Sequence, residues 1–138
     1  MAHTQNCTVF KSNAFNTSIE QEYFLNPSCF GDDVAHWLMK ELRARGYQTS
    51  ERPDQEDFGW YFTFHAAGLK HNVVIVYRPA PVEGEGEWIC WIERKVGLIG
   101  VVLARHKKAM PEAVKTIQDI LISSQVISVI RFCQRRDA

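Results

Sequence analysis

Glu56 and Asp57 stand directly ahead of the aromatic run Phe58-Gly59-Trp60. Two carboxylates at the mouth of an aromatic strand can supply a general base, or hold a cation against ring faces. Arg78 and Glu22 are the charged residues expected to reach the same corner, so Glu56, Asp57, Trp60 and Arg78 form the candidate ligand-binding set. Adjacent residues on a strand point to opposite faces, so the two acids converge only if the chain bends between them. The competing reading is structural: Asp57 caps a turn, Gly59 permits a bulge or close packing, and Trp60 belongs to the core. No residue type or spacing here assigns a catalytic role.

The histidines do not add a metal centre. If Ala67-Gly68 is a two-residue turn, Ala66 pairs with Leu69, His65 with Lys70 and Phe64 with His71, which puts His65 and His71 on opposite faces of a hairpin. His36 sits on a helix before Trp37, His3 near the start and His106 in a basic run, each without a visible partner. Cys7, Cys29, Cys90 and Cys133 are far apart, with neither a CxxC pair nor the Cys-His spacing of a zinc finger, and read as packing residues. Gly84 and Gly86 lie among acids that would repel a phosphate, and no Walker loop, GxGxxG, GxSxG or HExxH occurs. No cofactor is implied.

Sixteen Lys plus Arg balance sixteen Asp plus Glu in the 138 residues, leaving no net field to attract nucleic acid or anionic lipid. The balance is uneven along the chain: residues 1–67 carry nine acids and five bases, residues 68–138 seven acids and eleven bases. The two halves are therefore expected to pack together. Arg105, His106, Lys107 and Lys108, with Arg135 and Arg136, read as a solvated loop and tail. The longest apolar run, Val96 to Ala104, has nine residues, whereas a membrane span needs about 20. The opening residues lack the apolar core of a secretory signal, so a reducing cytoplasm is the expected setting.

The elements that must position these residues follow from hydrophobic period. Residues 1–14 are expected to be a mobile arm, with a short strand at Cys7 to Phe10 as its one candidate element, and residues 15–138 one domain. Phe15 to Phe24 alternates with a period of two and predicts a strand ended by Asn26-Pro27. Val34, Trp37, Leu38 and Leu42, widened by Ala35 and Met39, predict a helix with Asp32 and Asp33 in its first turn and Gly46 as its stop. Tyr47 to Arg52 reads as a short strand, closed by Pro53 and three acids that argue against regular pairing. Phe58 to Ala66, Leu69 to Arg78 and Glu87 to Arg94 predict a meander, the last of these apolar on both faces. A helix follows from Pro111 to Ser123-Ser124, then a strand from Val126 to Phe132. The class is α+β, a single antiparallel sheet with two helices on one face in the order β-α-β-β-β-β-α-β.

The run Asn26-Pro27, Phe30-Gly31-Asp32-Asp33, Ala35, Trp37-Leu38, Leu42, Gly46-Tyr47 and Glu56-Asp57-Phe58-Gly59-Trp60 resembles a group of small bacterial proteins of unknown function. The likeness covers roughly residues 16 to 133, and the EDFGW pentapeptide is its most specific part. It implies a bacterial source and an α+β domain, and carries over no catalytic residue. Val96 to Ala104 fits that pattern least well.

The leading expectation is a non-enzymatic interaction or self-association module. Its motive is an excess of apolar positions on both faces of the central strands, more than two helices cover. Leu98, Ile99, Val101 and Val102 in the apolar run are the candidate interaction surface. Its rival is a small-molecule-binding protein or small enzyme with a pocket at Glu56, Asp57 and Trp60. A third reading is an immunity or chaperone-like protein that docks a partner on its acidic first half.

Overall fold

The computed structural model describes residues 5–19, 21–25, 29–56, 59–80, 86–94 and 108–134. Within them the chain runs β1 (Cys7–Lys11), α1 (Asp32–Ala44), β2 (Asp54–Gln55), β3 (Trp60–Ala66), β4 (Leu69–Arg78), β5 (Glu87–Arg94), α2 (Pro111–Ser123) and β6 (Ser128–Cys133). The six strands form one antiparallel sheet in the order β2-β3-β4-β5-β1-β6. The architecture is the expected α+β, with both helices on one side. Among the described residues no helix is long and apolar enough to cross a membrane.

Register follows from the β3–β4 turn. Ala67 (φ 54°) and Gly68 (φ 75°) both adopt the left-handed conformation a primed turn requires. Ala66 therefore faces Leu69, His65 faces Lys70 and Phe64 faces His71, as the sequence predicts. The same alternation sends Trp60, Phe62 and Phe64 with Val73 and Ile75 toward the helices, joined by Trp88, Cys90 and Ile92 of β5. Val74, Ile89 and Trp91 face the other way and form a second buried cluster with Cys7 and Val9. Strand β5 is thus apolar on both faces because both faces are buried.

Helix α1 buries Val34, Ala35, Leu38, Met39 and Leu42 against the sheet. It stops where the sequence indicates: the Gly46 amide (φ 91°) donates to Arg43 O at 3.0 Å and the Tyr47 amide to Leu42 O at 3.0 Å, the paired bonds of a Schellman end. Helix α2 begins with Pro111 at its first turn and buries Ala113, Val114, Ile117, Ile120 and Leu121. Tyr47 ties the two helices, its hydroxyl lying 3.1 Å from Glu112 Oε2 and 3.0 Å from Thr116 Oγ1.

Three sequence expectations are corrected. The supposed mobile arm contains the short strand expected at Cys7 to Phe10, which forms as β1 and lies inside the sheet between β5 and β6, because its pairing partners are distant in sequence and no local period announces them. Phe15 to Phe24 is not a strand. The Asn16 side chain accepts from the Ser18 and Ile19 amides at 3.1 and 2.9 Å and donates to Ile19 O, and this local turn outcompetes a ladder. Only Phe24 of its aromatics is deeply buried, while Ile19 and Tyr23 are exposed. The strand expected at Tyr47 to Arg52 reduces to one bridge, Thr49 with Phe64, and the pairing resumes after Pro53 at Asp54–Gln55. Proline has no amide to give the ladder, and Arg43 Nη2 takes the Ser50 carbonyl at 2.7 Å, so the edge splits there.

Candidate functional site

The Glu56 corner is a tight hairpin. The Glu56 amide donates to Gly59 O at 2.7 Å and the Gly59 amide to Glu56 O at 3.4 Å, so the end of β2 and the start of β3 are held side by side. Gly59 is required by space rather than by φ: a Cβ there would stand 2.3 Å from the Ile75 carbonyl oxygen on β4. Asp57 and Phe58 lie outside the described residues. Trp60, the first residue of β3, is 5% exposed, and its indole Nε1 donates to Cys29 O at 2.8 Å. Its ring packs against Phe24 and Tyr23, with centroids 5.4 and 6.4 Å away. The Cys29 thiol in turn points at the Glu56 carbonyl, 3.9 Å away.

Glu56 and Trp60 are therefore brought together by one turn. Arg78, the last residue of β4 and three residues past Ile75, the register partner of Trp60, ends its strand on the corner's side of the sheet, but its guanidinium ion-pairs at 3.5 Å with Glu87, its registered neighbour on β5. Glu22 is exposed on the loop before α1. Leu98, Ile99, Val101 and Val102 lie outside the described residues, as do residues 135–138.

A pair that the sequence reading did not single out sits beside this corner. Asp32, first residue of α1 and 6% exposed, accepts a short hydrogen bond from the phenol of Tyr23. That bond, then burial, then the negative charges of Asp32 and Asp33 push the Tyr23 phenol up to about 12. Asp33 is shifted upward by burial, opposed by the amides of Asn16 (2.7 Å) and Val34 (3.0 Å) that its carboxylate accepts. Gly31 makes this possible. Its φ of 137° turns the chain into α1, and a Cβ there would press on Ile75, Trp60 and Trp88 at 3.2 to 3.5 Å. The only sequence signal for the pair was Gly-Asp-Asp at a helix start, which reads equally well as ordinary helix-dipole complementarity. Chemically, a phenol held in its protonated form by a buried carboxylate is a hydrogen-bond donor, not a base.

His65 and His71 differ as the turn demands. His65 is exposed, whereas His71 is fully buried on the helix side. Its Nε2 accepts from the Met110 amide at 3.1 Å, which leaves the proton on Nδ1 to donate to Leu69 O at 3.0 Å. Both ring nitrogens are spent on structure, and burial shifts the imidazole's pKa downward. Among the described residues no group of three His, Cys, Asp or Glu side chains is placed to share one cation.

The exposed apolar side chains are unevenly spread. Ile122 lies in the last turn of α2, Val126 just ahead of β6 and Phe132 on β6, while Ile19, Tyr23 and Leu25 project from the loop before α1. Ser12 Oγ, just past β1, donates to Val126 O at 2.6 Å, and Gln118 Nε2, one helical turn before Ile122, donates to Gln5 O at 2.8 Å; these bonds tie the backbone ahead of β6 and helix α2 to the two ends of β1. No protein-family model, curated protein or solved structure matches this chain.

Proposed function

We propose that this chain is a non-enzymatic interaction module that associates with a second copy of itself, and that β6 is its docking element. The observation that carries this reading is the inequality of the two sheet edges. Strand β2, at one edge, has two residues, Asp54 and Gln55, and is too short and polar to template a partner. Strand β6, at the other, has the sequence SVIRFC and pairs on one side with β1; among the described residues nothing pairs on its other side.

An edge of six residues rich in β-branched and aromatic side chains offers unpaired backbone groups to an added antiparallel strand. The 36%-exposed Phe132 lies on it, and the exposed Val126 and Ile122 precede it in the chain as further apolar contributors. A formal charge of zero means that two copies do not repel each other. Leu98, Ile99, Val101 and Val102 enter the proposal on their sequence alone, as further apolar contributors. A bacterial, cytoplasmic setting belongs to the same proposal and rests on the EDFGW resemblance and the reduced cysteines.

The test is sedimentation velocity over a wide concentration range, for the wild type and for Phe132→Lys, which sets a charge on the edge as natural sheets do to block pairing. A concentration-dependent dimer in the wild type, weakened at least tenfold in the variant, is the expected result. A wild type that stays monomeric throughout overturns the reading.

A further inference from the structure

We infer that Cys7 and Cys133 are a dithiol pair that closes to a disulfide under a peroxide, stapling the edge strand β6 to the interior strand β1. The two residues are direct partners in the β1–β6 ladder, so their side chains leave the sheet on the same face. Cys7 belongs to the buried cluster on the face away from the helices, and Cys133 packs against that cluster. Directly opposed residues of an antiparallel pair have Cα atoms roughly 4.5 or 5.5 Å apart. That spacing lies inside the window of about 4.4 to 6.8 Å that a disulfide needs. The register therefore meets the backbone spacing that the bond demands.

The other two cysteines do not share this geometry. Cys90 is registered against Thr8 on the helix face, and its thiol is pushed far upward by burial. Cys29 lies before α1 beside the Glu56 carbonyl. All four are thiols in this structure.

The difference in access sets the order of the chemistry. Cys133 is half-buried and Cys7 buried, so the Cys133 thiolate meets the oxidant first. Its sulfur attacks one peroxide oxygen and the O–O bond breaks, leaving a sulfenic acid on Cys133 and a hydroxide that takes up the proton released by the Cys133 thiol. The Cys7 sulfur then attacks the sulfenic sulfur. The S–O bond breaks, the S–S bond forms, and hydroxide leaves as water with the Cys7 proton. Two thiols are oxidised by two electrons and one hydrogen peroxide is reduced to two waters.

The consequence falls on β6, which has one strand neighbour among the described residues. A bond between these positions closes a loop over nearly the whole chain, the case in which a crosslink restricts the unfolded state most. The inference is independent of self-association, because both sulfurs belong to one copy.

The full chain is treated with hydrogen peroxide, denatured, alkylated without reduction and digested with trypsin. The expected product joins the peptides Met1–Lys11 and Phe132–Arg135. The melting temperature of the oxidised wild type is expected to rise by about 10 °C. In Cys133→Ser, a tolerable exchange at a half-buried position, the joined peptide and the rise both disappear. Cys133 recovered as an over-oxidised acid or bonded to a second copy, with Cys7 alkylated, overturns the assignment. So does a joined peptide that brings no rise in melting temperature.

Discussion

The Nε2 atom of His71, fully buried beneath α2, accepts a hydrogen bond of 3.1 Å from the backbone amide of Met110, the residue that caps that helix. A strand side chain thereby fixes where α2 begins. The bond requires neutral imidazole, and burial holds its pKa below the usual 6.5. A group with a depressed folded pKa that is neutral when deprotonated favours folding above its unfolded pKa. As pH falls below about 6.5 the unfolded chain takes up the proton first, so stability declines. Urea midpoints should therefore drop between pH 7.5 and 5.5. In His71→Leu, which leaves the Met110 amide unpaired, stability at pH 7.5 should be lower by about 1 to 3 kcal/mol and the drop between the two pH values smaller.

Tyr23 offers a second titration with the opposite sign. Its phenol, raised to about 12, keeps its bond to Asp32 from neutral pH up to the ordinary value of 10, and that stabilisation is lost as pH rises through about 12. Absorbance at the phenolate band should show one tyrosine ionising near 12, absent in Tyr23→Phe. Because Asp32 is buried, the same variant should lose about 1 to 3 kcal/mol at neutral pH through the unpaired carboxylate. An unchanged alkaline titration in the variant would show that the late-ionising group is another tyrosine.

Gly59→Ala tests the hairpin at the candidate corner. The added methyl would stand 2.3 Å from a backbone oxygen of the neighbouring strand, which has no flexible end to move aside. A loss of about 3 kcal/mol or more is expected in chemical denaturation, among the larger effects of single substitutions. Gly68→Ala, where nothing lies within 4 Å, should cost about 1 kcal/mol from positive φ alone.

Trp91→Ala tests whether the face away from the helices is core. Trp91 is buried with Cys7, Val9, Val74 and Ile89, so truncation should cost about 3 to 5 kcal/mol. A loss under about 1 kcal/mol would mean that this face contributes little to folding.

Phe132→Lys should leave the melting temperature within a few degrees of the wild type, since surface changes usually act within about 0.5 kcal/mol. Its effect is expected on association alone. A matching fall in melting temperature and dimer affinity would instead assign Phe132 to the core.

What the sequence determined by itself is whatever rests on local period and turn chemistry. Helix α1 with its glycine stop, helix α2 after Pro111, strands β4 and β5, and the register of the β3–β4 hairpin were all legible, because 3.6- and 2-residue periods and the Ala67-Gly68 turn act within a few residues. Tertiary structure decided the rest. Strand β1 was legible as a short strand at Cys7 to Phe10, but its place between β5 and β6 comes from pairing with strands distant in sequence. The Asn16 turn defeated an alternating pattern that looked like a strand. At the candidate corner, the sequence indicated Glu56 and Trp60 as neighbours. The engagement of Arg78 by Glu87, the burial of Asp32 under Tyr23 and the opposition of Cys7 to Cys133 depended on which strands and loops came to lie side by side. Such contacts join residues with no common period, so no local pattern in the chain encodes them; they arise when distant segments bury their apolar faces in one sheet and bring the polar groups they carry along.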